Sequence, residues 1–500
     1  MSNEVIKDEL LSGSVSFLED AQFSSENKIF TDKEISKILF ATSDVCVLHT
    51  EVLDGQAHVS GKVISNITFE TAENEFDAAS AEMEFNEVIK NDKIMQGDNI
   101  CVSAKVVDEA VQFVSTSEVA VKTVAQLSAK LISNENISFV TGGGDGLYVL
   151  DDEYSDKFLT KSGKEEINFE IEIPSRDNAL KVLNSSCCPV LKNIKAREGI
   201  AQVDVAAFYN LLVDDAGQLK VINDEAQISE EIVLDGAGEG SLVCGKLHIC
   251  SCMAEQAENK LVLKIGAMLC YDIYEEKTLH FVSDAFSTTN DINLNVVSAL
   301  QNRFAYNFSD STEIVGNITV KDESFEIRKV IGALPKTLIF SKVSMEDVEI
   351  LIEGIASFTA IYEGIDDSIE SVDVEIPFAS KVKNPSDAGA QIVLSGGCTF
   401  DVKAKIRKAN EIEISAGINL CFNVFEKNEF AYVSGVEIGE EKMSDDSALT
   451  VYVVKEGESV FDIAKKLSLD IAELKAQNPE LEEGLQVGAR IAFYKQKNLN

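Results

Sequence analysis

The chain has 500 residues, 44 Lys+Arg against 85 Asp+Glu, a formal charge of −41, 45 % hydrophobic residues, 6 Pro and no Trp. This length suggests about three to five domains, and the apolar fraction excludes wholesale disorder. The acid excess disfavours nucleic acid and anionic membranes, since both are held through Lys and Arg.

Taken in chain order, Met1 to Phe17 carries Glu4, Asp8 and Glu9, with no basic region and no long apolar run. It does not read as a secretory signal. No stretch approaches the 18 or more apolar residues of a membrane span. The expected place is therefore a cytoplasm, with the ten cysteines kept as thiols.

Three segments then repeat a pattern. They start at Gly55 (GQAHVSGKVISNITFE), Gly199 (GIAQVDVAAFYNLLVDD) and Asp347 (DVEILIEGIASFTAIYEG), 144 and 148 positions apart. Each alternates with period two, the mark of a strand with one buried and one wet face. The predicted buried faces are Ala57, Val59, Val63, Ile67 and Phe69; Ala201, Val203, Val205, Ala207, Tyr209 and Leu211; and Ile350, Ile352, Ala356, Phe358 and Tyr362. A similar lead precedes each strand, from Glu34, Asn178 and Glu326, with a short helix-like opening at Ile35, Ile38 and Leu39 in the first. Further strands follow from Asn99, Ser241 and Gln391, and closing strands from Lys260 and Glu411. The expectation is a mainly β chain: three homologous, sandwich-like repeats over 1–140, 141–290 and 291–436. An acidic linker over 437–448 would follow, then a βααβ domain over 449–496.

In that last stretch VYVV from Val451 is a strand and Gly457 a turn. Ser459 with Asp462 forms a capping box. Val460, Ile463, Ala464 and Leu467 make one helical stripe. Asp470 and Glu473 open a second helix, Asn478-Pro479 ends it, and RIAFY from Arg490 is the second strand.

Other constellations favour bland readings. Cys244, His248, Cys250 and Cys252 would share one strand face, and Cys-x-Cys can ligate zinc. The matching face of the third repeat carries Leu394, Cys398, Phe400 and Val402, so core filling outweighs metal. Cys187-Cys188 reads as a structural pair in an irregular turn before Pro189. GGGDG from Gly142 and GAGEGS from Gly236 lack a phosphate-loop setting and read as loops between strands. None of the four His lies in a catalytic motif. No enzyme, metal or cofactor is expected.

Val451 to Tyr494 resembles a LysM domain through Tyr452, Val454, Gly457, Glu458-Ser459, Ile463-Ala464, Leu474, Asn478-Pro479, Gly488 and Ile491. That resemblance implies a shallow groove for N-acetylglucosamine polymers such as peptidoglycan. Here the groove residues would be Gly457, Glu458, Ser459, Val460, Asn478, Pro479, Glu480 and Leu481. Glu458 stands where Asp is usual and Phe461 where Trp is frequent. The repeats, best in FTAIYEGIDD from Phe358 and SVDVEIPFAS from Ser371, resemble the SPOCS (spore-coat-associated) family of endospore formers. This implies a non-enzymatic scaffold in the mother-cell cytoplasm, at the forespore or spore coat surface. Its LysM would dock a coat morphogenetic protein, the basement-layer ATPase. The alternative is a peptidoglycan-binding protein of the wall or cortex.

Overall fold

A computed structural model describes residues 5–144, 146–175, 180–320, 326–346, 348–385, 390–442, 449–482 and 484–494. The chain is mainly β, in three strand groups and a C-terminal βααβ unit. Unit 1 comprises β1 (Ile6–Phe17), β2 (Ala21–Phe30), β3 (Ile35–Leu53), β4 (Gln56–Thr71), β5 (Phe76–Lys90), β6 (Asn99–Ser115) and β7 (Glu118–Gly142). Unit 2 comprises β8 (Leu147–Pro174), β9 (Leu180–Arg197), β10 (Ile200–Asp215), β11 (Gln218–Val233), β12 (Leu242–Ala257) and β13 (Lys260–Ser287). Unit 3 comprises β14 (Asn290–Thr319), β15 (Ile327–Glu346), β16 (Glu349–Gly364), β17 (Ile369–Lys383), β18 (Gln391–Lys408) and β19 (Glu411–Glu441).

One antiparallel pairing scheme occurs in each unit. The middle strands form a meander: β3-β4-β5, β9-β10-β11 and β15-β16-β17. The last strand pairs with both the first and the penultimate, giving β12-β13-β8 and β14-β19-β18; in unit 1, β7 pairs with β6 on one side and with β1 and β2 in turn on the other. The turns at Gly55 and Gly199 have φ of 76° and 74°, which glycine tolerates in tight hairpins. The two sheets of a unit pack face to face, so that Ile171 of β8, Val205 of β10 and Leu263 of β13 share one core. All sixteen residues assigned to the buried faces of the three central strands are buried. The middle strands are hydrophobic on one side because that side meets the second sheet.

Beyond these sandwiches the outer strand pairs continue as ribbons, β1/β7, β8/β13 and β14/β19, as far as Ile6↔Gly142, Leu147↔Ser287 and Asn290↔Glu441. The ribbons pack against one another as a three-sided column. Phe139, Phe281 and Tyr432 hold equivalent places, with Phe139–Phe281 at 6.5 Å and Phe139–Tyr432 at 6.3 Å. Phe430 closes the third side against Phe281 at 6.0 Å. One level down, Ile132, Tyr274 and Phe425 share a second cluster with Val15, Leu159 and Phe304. Ion pairs cross each seam: Lys130–Asp272 at 2.5 Å, Arg303–Asp156 at 2.5 Å and Lys336–Glu109 at 3.5 Å. Each of those acids is enclosed, with a side chain 3 % exposed or less.

Four expectations change. The leads are strands, not helix openings: β3 has register shifts between Ile35 and Lys37 and between Ile38 and Phe40. Such bulges break period two and turn consecutive residues inward, so Leu39, Phe40 and Ala41 are all buried. Ile35, Ile38 and Leu39 thus imitate helical spacing. Cys187 and Cys188 lie inside β9 rather than in a turn; alternation sends Cys187 to the unit 2 core and Cys188 toward Cys398 and Phe400. Cys46 and Cys250 form a disulfide between β3 and β12, so the expectation of ten free thiols fails at this pair. Finally, Glu437 to Glu441 of the expected linker continue β19 against β14; residues 443–448, like Asp347, lie outside the described residues. Gly142 ends β7, Gly143 and Gly144 follow it outside any strand, and Asp145 lies outside the described residues; the run from Gly236 falls between β11 and β12, as expected. No helix among the described residues is long and apolar enough to cross a membrane.

The column predicts where stability resides. Phe281→Ala would leave a void between all three ribbons and should cost about 3–5 kcal/mol, read as a lower denaturation midpoint. A loss comparable to an exposed substitution would contradict the packing.

Candidate functional site

The C-terminal unit runs β20 (Leu449–Val453), α1 (Val460–Leu467), α2 (Ile471–Gln477), a 3-10 turn (Pro479–Glu482) and β21 (Arg490–Tyr494). β20 and β21 pair antiparallel, Leu449 opposite Tyr494. Ser459 caps α1 in a full capping box: its Oγ accepts from Asp462 N, while Ser459 N donates to the Asp462 carboxylate. Asp470 caps α2 by accepting from Glu473 N. Ile463, Ala464, Leu474, Leu481, Ile491 and Phe493 fill the small core.

The eight predicted groove residues divide by exposure. Gly457, Ser459, Pro479 and Glu480 are open to solvent, Glu458 and Val460 are half-buried, and Asn478 and Leu481 are buried. Asn478 Nδ2 donates to the carbonyls of Leu474 and Ala492, and its Oδ1 accepts from Ala492 N. It ties α2 to β21, with both amide hydrogens spent inside the domain. Leu481 belongs to the core, and Val460 packs on the same cluster. Glu458 folds back onto its own loop. Its carboxylate accepts from Lys466 Nζ, from Tyr452 OH at 2.6 Å and from Lys455 N at 2.8 Å. Those donors, Lys466 foremost, hold its pKa down to about 2. The extra methylene of Glu over Asp gives the reach for this clamp.

The unit is not free on a tether. Its core continues into Phe286 and Tyr148, at the open end of the unit 2 ribbon. Phe461 meets Phe286 edge to face at 5.1 Å, and Phe286 stacks on Tyr148 at 5.0 Å. Lys465 Nζ grips both Asp284 oxygens at 2.5 and 2.6 Å. Tyr148 OH donates to the Asp470 carboxylate, and Lys442 Nζ bridges Ser287 O and Ser468 Oγ. Phe461 therefore serves the core and the docking seam together. None of these polar contacts uses Gly457–Ser459 or Asn478–Leu481, so the open groove residues stay open in the assembled chain. Nothing in residues 449–494 signals this seam, since its other half lies in unit 2.

The cysteine-histidine constellation is rearranged. β12 slips register between Ile249 and Ser251, skipping Cys250. The bulge ends the common face: Cys250 bonds Cys46, Cys252 packs on the unit 2 core, and Cys244 and His248 face the other way. They line a cavity of about 880 Å³ at the meeting of the three units. Its walls include Asp44 and Lys105 of unit 1, Lys246 and Lys192 of unit 2, and Lys336 of unit 3. In a chain of net charge −41, this gathers basic groups inside. Lys246 donates to Ser103 Oγ at 3.2 Å, and Lys105 lies 5.7 Å from the centroid of the Phe340 ring. Burial, with Glu109 adding, raises Asp44 to about 6.

Two outcomes follow. Asp284→Lys should release the C-terminal unit from the ribbon, seen as a larger radius of gyration in small-angle scattering; an unchanged radius would contradict the seam. Asp44 holds its proton in the folded state between about pH 4 and 6, where the unfolded group has lost it. Its cost is absent below pH 4 and complete above pH 6. Asp44→Asn should therefore stabilise the protein at pH 7 and make no difference near pH 4, by urea denaturation at both pH values.

Against known proteins, residues 452–492 match the LysM domain family. No curated protein and no solved structure matches the chain. The C-terminal βααβ unit, docked on the ribbon of unit 2, is a LysM domain.

Proposed function

We propose that the chain is a non-enzymatic binding protein in which three β units form a scaffold for one LysM domain, and that this domain holds an N-acetylglucosamine polymer of the peptidoglycan class. The LysM domain at 452–492 carries the reading. It is supported by the exposure of Gly457, Ser459, Pro479 and Glu480 while the domain is docked. Neutral sugars suit such a surface of backbone groups, one hydroxyl and a proline ring. The common pairing scheme supports descent of the three units from one repeat.

A second reading is a protein dock, as in spore coat assembly at the forespore surface in the mother cell. Two observations favour it. Glu458, the acid of the first groove loop, is consumed by its clamp. The surface charge suits a basic patch on a protein more than an anionic wall polymer. The basement-layer partner itself rests on the family resemblance.

Gly457 has φ of 78° and no atom within 4 Å of where a Cβ would stand, so Gly457→Arg would project into the groove at some backbone strain. The full chain should co-sediment with purified peptidoglycan, and Gly457→Arg should lose most of that binding while keeping its thermal unfolding profile. No co-sedimentation of the wild-type chain would overturn the glycan reading. In that event, partner capture by the wild-type chain that Gly457→Arg abolishes would support the protein dock.

A further inference from the structure

The wall of the central cavity brings together three side chains that sequence spacing does not connect. Cys101 comes from β6 of unit 1. His248 and Cys270 come from β12 and β13 of unit 2, where Lys246 pairs with Cys270 and His248 with Met268. His248 and Cys270 are thus diagonal neighbours on one sheet face, and Cys101 reaches them from across the unit boundary. One ligand atom from each lies within 4.8 Å of the other two. In a tetrahedral zinc site, bonds of about 2.3 Å to sulfur and 2.0–2.1 Å to nitrogen put neighbouring ligand atoms roughly 3.5–3.8 Å apart. Closing the trio onto an ion takes a contraction of about 1 Å, within the reach of side-chain rotation.

A second observation points to a ligand. His248 Nε2 is enclosed and has no hydrogen-bond partner. A buried polar atom left unsatisfied is costly, and a metal ion would satisfy it. Cys101, His248 and Cys270 all line the cavity, which would leave a fourth position facing its interior. We propose that Cys101, His248 and Cys270 form a zinc-class metal site at the boundary of units 1 and 2, with one coordination position open to the central cavity.

The donor set selects the ion. Two sulfurs and an imidazole favour zinc over magnesium or calcium. Two thiolates would balance a divalent charge, and the nearby Lys130 is already neutralised by Asp272 at 2.5 Å. The trio shares only His248 with the strand-face constellation of β12; Cys250 is committed to Cys46. Binding releases the two thiol protons, so affinity should fall with acidity. The ion would join the same two units that the Cys46–Cys250 bridge joins.

The test uses the reduced, metal-stripped full chain. Titration with zinc against a chromophoric chelator should give one tight ion per chain. Cobalt should give sulfur-to-cobalt charge-transfer absorption in the near ultraviolet. Cys101→Ser and His248→Ala should each weaken zinc by about 100-fold or more, at least the effect of losing an outer-shell partner. Cys188→Ser, another cysteine of the cavity wall, should bind as wild type. If a variant fails to fold, X-ray absorption on the zinc-loaded wild type decides: two sulfurs and one nitrogen support the site, and an oxygen-only shell overturns it. No zinc uptake after reduction, or a Cys101–Cys270 disulfide in its place, overturns it as well.

Discussion

The structure depends on apolar contact along the column where three ribbons meet. Units that share a charge of −41 repel one another, and only surfaces cleared of charge can hold them together. Phe139, Phe281, Phe430 and Tyr432 supply that surface. The pairs Lys130–Asp272, Arg303–Asp156 and Lys336–Glu109 place a cation of one unit against an acid of the next at each seam. Enclosed pairs of this kind add little net stability but are costly to break singly, so they fix which surfaces meet. The sandwiches, the cavity between them and the seat of the LysM domain all take their positions from the column.

Much of the fold was legible because its logic is local. Alternation in the central strands identified their buried faces residue by residue, down to Ala57, Val203 and Phe358. It failed where period two is broken. The bulges of β3 made Ile35, Ile38 and Leu39 look helical, and the bulge at Cys250 divided what had looked like one face. The ribbons were readable as strands but not as a column, because Phe139 gives no sign that it will meet Phe281 and Tyr432. Contacts between units are set by shape over distances that a sequence window does not span.

The LysM domain shows the same division. Ser459, Asp462 and Asp470 announced the helices because caps act within a turn. The fates of Glu458 and Asn478 were hidden, since both are consumed by hydrogen bonds within the small domain. Phe461, standing where Trp is frequent, did not declare itself as core or contact; its place against Phe286 gives it a packing reason. The cysteines followed the same rule: Cys46 and Cys101 have no motif, and their partners lie in another unit.

The three ribbon ends are similar, yet the LysM domain sits on one of them. Phe286, Tyr148 and Asp284 make that seat on unit 2. The chain thus repeats its framework three times and carries the LysM domain on one of the three. On the glycan reading, one groove per chain would give modest attachment, whereas several linked grooves gain by effective concentration. Durable attachment to a repeating polymer or coat would then require many chains arrayed side by side. The three sandwiches, in a chain of net charge −41, would set how closely those chains can crowd, making the spacing of the array a property of the scaffold rather than of the LysM domain.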